Sequence, residues 1–269
     1  FLEKTPLKDY DFKRAKVLLS HLGITLQKPA FDSRLAKYLL STVEDNEIST
    51  IASLYSQIAL PLDEVVYGKG AKKAIPEKAV LLEHLARKVA VLLDTEEPMK
   101  VQLQAHDQLD LLYDMEQPLA AVLAKMEIAG IKVERQTLED MQVENEVVLE
   151  RLTQEIYELA GEEFNINSPK QLGIILFEKM NLPVIKKTKT GYSTDAEVLD
   201  MLRHESPIVE KILAYRSVAK LVSTYCEGLA VLIKPETHRI HTTYNQMVTA
   251  TGRMSSSDPK LQNIPDRTE

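Results

Sequence analysis

The sequence has 269 residues, 44% of them hydrophobic and 27% charged, with a net charge of −7. That length suits two domains with real cores. Nine glycines and no tryptophan favour helices over a glycine-rich β-sandwich, and the single cysteine, Cys226, excludes an internal disulfide and fits a reducing cytoplasm.

In chain order, Phe12 to Leu22 reads as a helix stopped by Gly23, Ile24–Leu26 as a short strand and Ser33 to Leu40 as a second helix. Tyr67–Lys73 is a basic, glycine-bearing loop, and Pro76 opens a helix running toward Leu93. From about Glu96 the pattern changes to long amphipathic helices. One is expected to begin at Pro98 and run from Val101 to Met115; the next has Pro118 in its first turn and Gly130 at its end. Ile131–Val133 is an extended joint. Leu138, Met141, Val148, Leu152, Ile156 and Leu159 then keep a 3.6-residue period up to Gly161. No run approaches 18 apolar residues, so no membrane span is expected. The start, Phe1-Leu2-Glu3-Lys4, is neither a signal peptide nor an initiator methionine, which points to a piece of something longer.

Charge is unevenly distributed. Residues 134–163 carry ten acids and two arginines, whereas 164–194 carry five lysines (170, 179, 186, 187 and 189) against Glu178. A basic tip on an acidic stalk can bind phosphate locally despite the acidic total. The tip is well punctuated. Ser168-Pro169-Lys170-Gln171 and Thr194-Asp195-Ala196-Glu197 read as capping boxes, and Ser206-Pro207 starts a helix that runs past Tyr225. Between the first two lies a loop, Ile185 to Ser193. Three helix N-termini near lysines and hydroxyls make an anion site; equally, such caps simply stop helices fraying. Arg216, Lys220 and Thr224, spaced i, i+4, i+8, line one helix face, as a backbone-tracking stripe or as a solvated surface, with Ile208, Ile212, Ala219 and Val222 facing inward. Arg239 to Gln246 alternates like a strand, Ile240, Thr242 and Tyr244 opposing His241, Thr243 and Asn245.

The run Thr249 to Pro265 is dense in polar side chains on irregular backbone. Gly252 lets the chain approach a ligand closely, and Arg253 brings a planar fork of donors. In the minor groove of a duplex, acceptors occupy nearly the same place in every correct pair, so a donor there tests pair geometry without reading sequence. The residues alone fit a second reading as well, a coil pinned by side chain to backbone hydrogen bonds.

Thr-Ala-Thr-Gly-Arg-Met-Ser-Ser at 249–256, followed by Pro-Lys-Leu-Gln-Asn-Ile-Pro at 259–265, resembles the start of the palm of bacterial family A DNA polymerases. Asn165 to Leu172 and Lys186 to Thr194 resemble the tip of their thumb, and Tyr215-Arg216, Lys220-Leu221 and Ser223-Thr224-Tyr225 resemble the thumb helix returning to the palm. The likeness is close over 96–269 and looser over 1–95. It implies an α/β plus mainly α chain: a truncated exonuclease-like (RNase H-like) α/β domain over 1–95, a long-helix, duplex-binding thumb over 96–235, and the first strand of the palm over 236–269. By that resemblance Arg253 would contact the minor groove at the primer end. Gln262 and Asn263 would contact the duplex near the insertion site, and Ser255 and Ser256 would also bind DNA. Asn165, Asn167, Ser168, Lys170, Lys186, Lys187, Thr188, Lys189, Thr190, Ser193 and Thr194 would hold the duplex backbone, together with Arg216, Lys220 and Thr224. Met254 stands where leucine is usual and Lys260 where asparagine is common; no role is carried to Lys260.

The parent enzyme implied by this resemblance is a cytoplasmic, monomeric DNA-directed DNA polymerase of replication and repair. It would bind a primer–template duplex and a deoxynucleoside triphosphate and use Mg²⁺, with its metal-binding carboxylates beyond residue 269. No catalytic or metal residue is expected within 1–269. Asp11 matches a metal-ligand aspartate of the exonuclease domain, but the Tyr-x-x-x-Asp that site needs is absent from the Pro76–Leu93 helix, and Asp94-Thr95-Glu96 lies in the wrong order at an expected helix end. No exonuclease activity is expected. Two rivals stand beside this reading: a non-catalytic module that only binds duplex DNA, and a helical scaffold whose basic tip binds an acidic protein patch.

Overall fold

The computed structural model describes residues 1–189, 191–262 and 264. Its backbone divides into two units, Phe1–Gly130 with His241–Gln262, and a second built on Ile131–Ile240. The breaks fall at 130/131 and 240/241. The expected 95/96 boundary lies inside a helix.

The first unit begins with two short parallel strands, β1 (Leu7–Asp9) and β2 (Pro29–Asp32), which set Asp9 opposite Asp32. Helix α1 (Phe12–Ser20) is capped by Asp11, whose carboxylate accepts the Arg14 N–H. Helix α2 (Ser33–Leu40) is capped in the same way by Asp32 on the Leu35 N–H. The strand expected at Ile24–Leu26 is absent: Leu26 is buried with its carbonyl accepting from Lys16, and the strand beside β1 is β2. Helices α3 (Ile48–Tyr55) and α4 (Asp63–Tyr67) lead to α5 (Lys78–Ala105).

Helix α5 corrects the expectation that Pro98 starts a new helix: Pro98 lies inside it. An interior proline costs about 3 kcal/mol. Met99 and Leu103, just beyond it, are fully buried, and burying two such side chains contributes about 3–6 kcal/mol. Pro98 itself is exposed. Packing therefore outweighs the break. A single wide turn (Leu111–Glu116) leads into α6 (Gln117–Ala129), closed by Gly130 at φ +68°. Phe31, Leu35, Ala36 and Ile51 form the core with Met99, Leu103, Leu112 and Ala120.

In the second unit β3 (Ile131–Lys132) is followed by α7 (Arg135–Ala160), which ends at the left-handed Gly161. Leu152 and Ile156 of its expected stripe are buried, but Leu159 is exposed. Helix α8 (Pro169–Gly173) continues through a widened stretch, Ile174–Lys179. The expected loop carries a small hairpin, β4 (Lys187–Thr188) against β5 (Gly191–Tyr192). Helix α9 (Ala196–Met201) and α10 (Pro207–Lys220) follow; α10 runs through a wide segment, Leu221–Glu227, into α11 (Gly228–Ala230). Ile156, Leu172, Leu176, Leu199, Ile208 and Ile212 are the centre of this core. Cys226 is buried, and burial pushes its thiol up, away from thiolate chemistry.

The strand expected over Arg239 to Gln246 is two strands. β6 (Arg239–Ile240) pairs with β3 in the second unit, while β7 (Thr243–Asn245) belongs to the first and pairs with β8 (Ser255–Ser257). Among the described residues no helix is long and apolar enough to cross a membrane.

Candidate nucleic-acid interface

At the tip of the second unit the Ser168 hydroxyl accepts the Gln171 N–H at 3.3 Å. Gln171 does not return that bond to Ser168, as a capping box would; its side-chain oxygen accepts the Asn165 N–H at 2.8 Å, and the Asn165 side chain accepts the Asn167 N–H at 3.0 Å. The segment is thus held by its own backbone, and Asn165, Asn167 and Lys170 remain exposed.

The second cap is also corrected. Asp195, not Thr194, caps α9: its carboxylate accepts the Val198 N–H at 2.9 Å and the Ser193 hydroxyl at 2.8 Å. Those two bonds hold the Asp195 carboxyl below its usual range. A charged acceptor suits the positive end of a helix better than a threonine hydroxyl does. Thr194 instead takes Arg216, which donates to both its carbonyl and its hydroxyl. Arg216 is therefore half-buried and tied into the loop; it does not stand free on a stripe.

These elements line one open cleft of about 950 Å³, edged by Asn167, Ser168, Lys170, Thr188, Thr194 and Arg216. Two of the three expected helix N-termini meet there. The third, behind Ser206, makes no side-chain cap bond and lies away from the cleft. Ser193 and Thr194 were expected to touch a ligand, yet both side chains are buried and hydrogen-bonded within the loop, so they shape the cleft wall. Lys187 is exposed with its ammonium 5.8 Å over the Tyr192 ring, Lys186 lies 3.6 Å from Asp195, and Lys189 is exposed. Lys220 and Thr224 are exposed further along, Thr224 within the wide segment, whose last bond runs i to i+5 from the Gly228 N–H to the Ser223 carbonyl. Thr190 lies outside the described residues.

The polar run that follows β7 behaves differently from residue to residue. Ser256 is buried and its hydroxyl accepts the Leu261 N–H, so it anchors the chain. Ser255 and Ser257 accept from the Asn245 amide at 3.2 and 3.1 Å. Gln262 donates to the Met254 carbonyl at 2.8 Å. Thr249 donates to the Arg253 carbonyl at 2.9 Å across a turn in which Gly252 sits at φ +73°. Arg253 is exposed. The pinned-coil reading thus describes Thr249, Ser256 and Gln262, and their bonds present Arg253. Asn263 lies outside the described residues.

In the first unit Asp11 caps α1 and pairs with Arg34 at 2.7 Å. The Asp94-Thr95-Glu96 triplet is in the interior of α5, where Glu96 pairs with Lys8 and Lys100. Among the described residues no three His, Cys, Asp or Glu side chains are grouped to hold a metal ion.

Comparison with known proteins accords with this geometry. The family model described as DNA polymerase family A matches residues 135–269, and one described as DNA polymerase I, ribonuclease H-like domain, matches residues 3–95. With just over half of its residues inside the first of these, the chain belongs to DNA polymerase family A. It is 65% identical to the DNA polymerase I of Streptococcus pneumoniae, across all of this chain and 31% of that protein, and 59% identical to that of Lactococcus lactis, across 99% and 30%. The chain thus spans about three tenths of the length of the curated relatives it matches. A solved structure of the POL domain of Pol1 from M. smegmatis, in complex with DNA primer-template and dNTP, superimposes with a TM-score of 0.79 at 35% identity, over 97% of this chain and 43% of that one.

Tyr38, Glu116, Glu127 and Gln246 are given no functional role by the sequence, although their bonds brace β7 and the turn before Arg253. Their partners are 114 to 211 residues away, and no periodicity links such positions.

Proposed function

We propose that this chain is the central part of a bacterial DNA-directed DNA polymerase of replication and repair, and that it grips primer–template duplex and inspects the primer end. The second unit would be the thumb and His241 onward the start of the palm. The observation that carries the reading is Arg253: an exposed guanidinium on a turn whose neighbouring polar side chains are bound to backbone. Such a fork, held in place, can donate to minor-groove acceptors shared by all correct pairs. The tip cleft supplies the complementary backbone grip, with Lys170, Lys186, Lys187, Lys189, Thr188, Asn165 and Asn167 toward phosphate. Ser168 and Arg216 would shape that grip, and Lys220 and Thr224 extend it.

Phosphoryl transfer by the parent enzyme would use two Mg²⁺ ions. Asp11 is committed to Arg34 and to its cap, so no metal step is assigned to these residues, and no 3′–5′ exonuclease activity is expected of the first unit. The parent is proposed to be cytoplasmic and monomeric, with deoxynucleoside triphosphate as its second ligand.

The test is Arg253→Ala in the full-length enzyme. Extension should slow roughly tenfold, more from mismatched than matched ends, corresponding to ~1–2 kcal/mol of transition-state stabilisation, while overall duplex affinity changes little. Equal extension rates for the variant and the parent would remove the role given to Arg253.

A further inference from the structure

In the first unit Asp11 and Glu96 are paired with Arg34, Lys8 and Lys100, and the helices hold the strand that leads to Arg253 at several points. Glu127 of α6 is buried; its carboxylate accepts the Tyr244 N–H at 2.8 Å, and the same oxygen pairs with Lys13 of α1. The Glu127 carbonyl accepts from His241 Nδ1 at 2.8 Å. Gln246, also buried, donates to the Glu116 carbonyl at 2.9 Å. Tyr38 of α2 donates to the Thr249 carbonyl at 2.8 Å, and the Thr249 hydroxyl reaches the Arg253 carbonyl. Thr249, the first residue of the turn, therefore links Tyr38 to Arg253.

We propose that Tyr38 and Glu127 are positioning residues for primer-end recognition, and that this is what helices α2 and α6 of the first unit do for the polymerase. The inference rests on the reading of Arg253 given above. The physical argument is one of freedom. The Thr249–Arg253 turn contains a left-handed glycine and exposed side chains, and an unrestrained turn of this kind samples many geometries. A donor that must meet a groove acceptor within a fraction of an ångström loses its effect when its support is loose. Glu127 fixes the strand at Tyr244, and Tyr38 fixes the first residue of the turn. Both act from helices in the core of the first unit.

The experiment uses the full-length enzyme with Tyr38→Phe, Glu127→Ala, Glu127→Gln, Arg253→Ala and the Tyr38→Phe/Arg253→Ala double variant. Steady-state extension of matched and mismatched primers is measured alongside duplex Kd and Tm. Tyr38→Phe, which loses one hydroxyl, should lower kcat about threefold to tenfold with Kd unchanged. Glu127→Ala should do the same, and Glu127→Gln, which keeps an acceptor for Tyr244, should restore most of the loss. In the Arg253→Ala background Tyr38→Phe should have no further effect, because it acts through that residue. Independent, multiplying effects of the two changes would overturn the proposal, as would a fall in Tm with kcat intact. If Arg253→Ala itself leaves extension unchanged, it is the reading of Arg253 that fails, and positioning falls with it; an effect of Arg253→Ala without one of Tyr38→Phe or Glu127→Ala sinks positioning alone.

Discussion

Asp32 is almost wholly enclosed, with one carboxylate oxygen accepting the Phe12 N–H and the other the Leu35 N–H, both at 2.9 Å. Those bonds favour the charged form, but burial outweighs them and pushes the carboxyl up to about 7. The folded state therefore keeps a proton that the unfolded chain has already lost, so stability should fall as pH rises from about 4 to about 7. Urea midpoints between pH 4 and pH 8 should show this slope, and Asp32→Asn should flatten it; an unchanged slope would remove Asp32 as its source. At Gly252 the issue is backbone alone. With φ at +73° and no atom within 4 Å of an added Cβ, Gly252→Ala meets no clash, yet a left-handed L-residue costs roughly 1–2 kcal/mol. Gly252→Ala should lose about that much in denaturant unfolding, and Gly252→Asn distinctly less.

At the scale of elements, local chemistry read well where it was self-sufficient. Ser33–Leu40 is α2 as expected, and Pro118, Gly130, Ser168 and Gly161 mark helix ends. Ser168→Ala should cost about 0.5–1 kcal/mol through the lost cap, seen as a lower Tm with the fold retained; no change would mean the 3.3 Å bond contributes nothing. Reading failed where a helix or strand was settled from outside. Pro98 looks like a start because proline favours first turns, but the buried Met99 and Leu103 carry α5 through it. Arg239 to Gln246 alternates as one strand, but its halves pair with β3 and β8 in different units. Helix α10 passes into an i to i+5 segment at Leu221 that side-chain spacing does not announce. Thr194 looked like a cap by the same logic as Ser168, and lost the position because Asp195 is the stronger acceptor and Arg216 claims the threonine.

For the molecule as a whole, net charge was the least informative number. The acidic α7 and the basic tip belong to the same unit, and duplex binding depends on local cations. Affinity of the full-length enzyme for duplex should fall steeply with salt, and Lys170→Ala and Lys189→Ala should each reduce the slope of log K against log salt by about 1. A slope that ignores both lysines would place the phosphate contacts elsewhere.

The amino-acid sequence alone determined the family, through the ordered polar runs at 165–172, 186–194 and 249–265, and it determined most helix ends, because caps, prolines and glycines act over three or four residues. It also singled out Arg253. Tertiary structure decided which polar residues around Arg253 are supports: Ser256, Gln262 and Thr249 each bond a backbone group four to eight residues away. It decided too that the turn is held by Tyr38 and the strand by Glu127. Hydrogen bonds between residues more than a hundred positions apart leave no pattern in sequence; they exist because helices packed around a common core bring those groups within 3 Å.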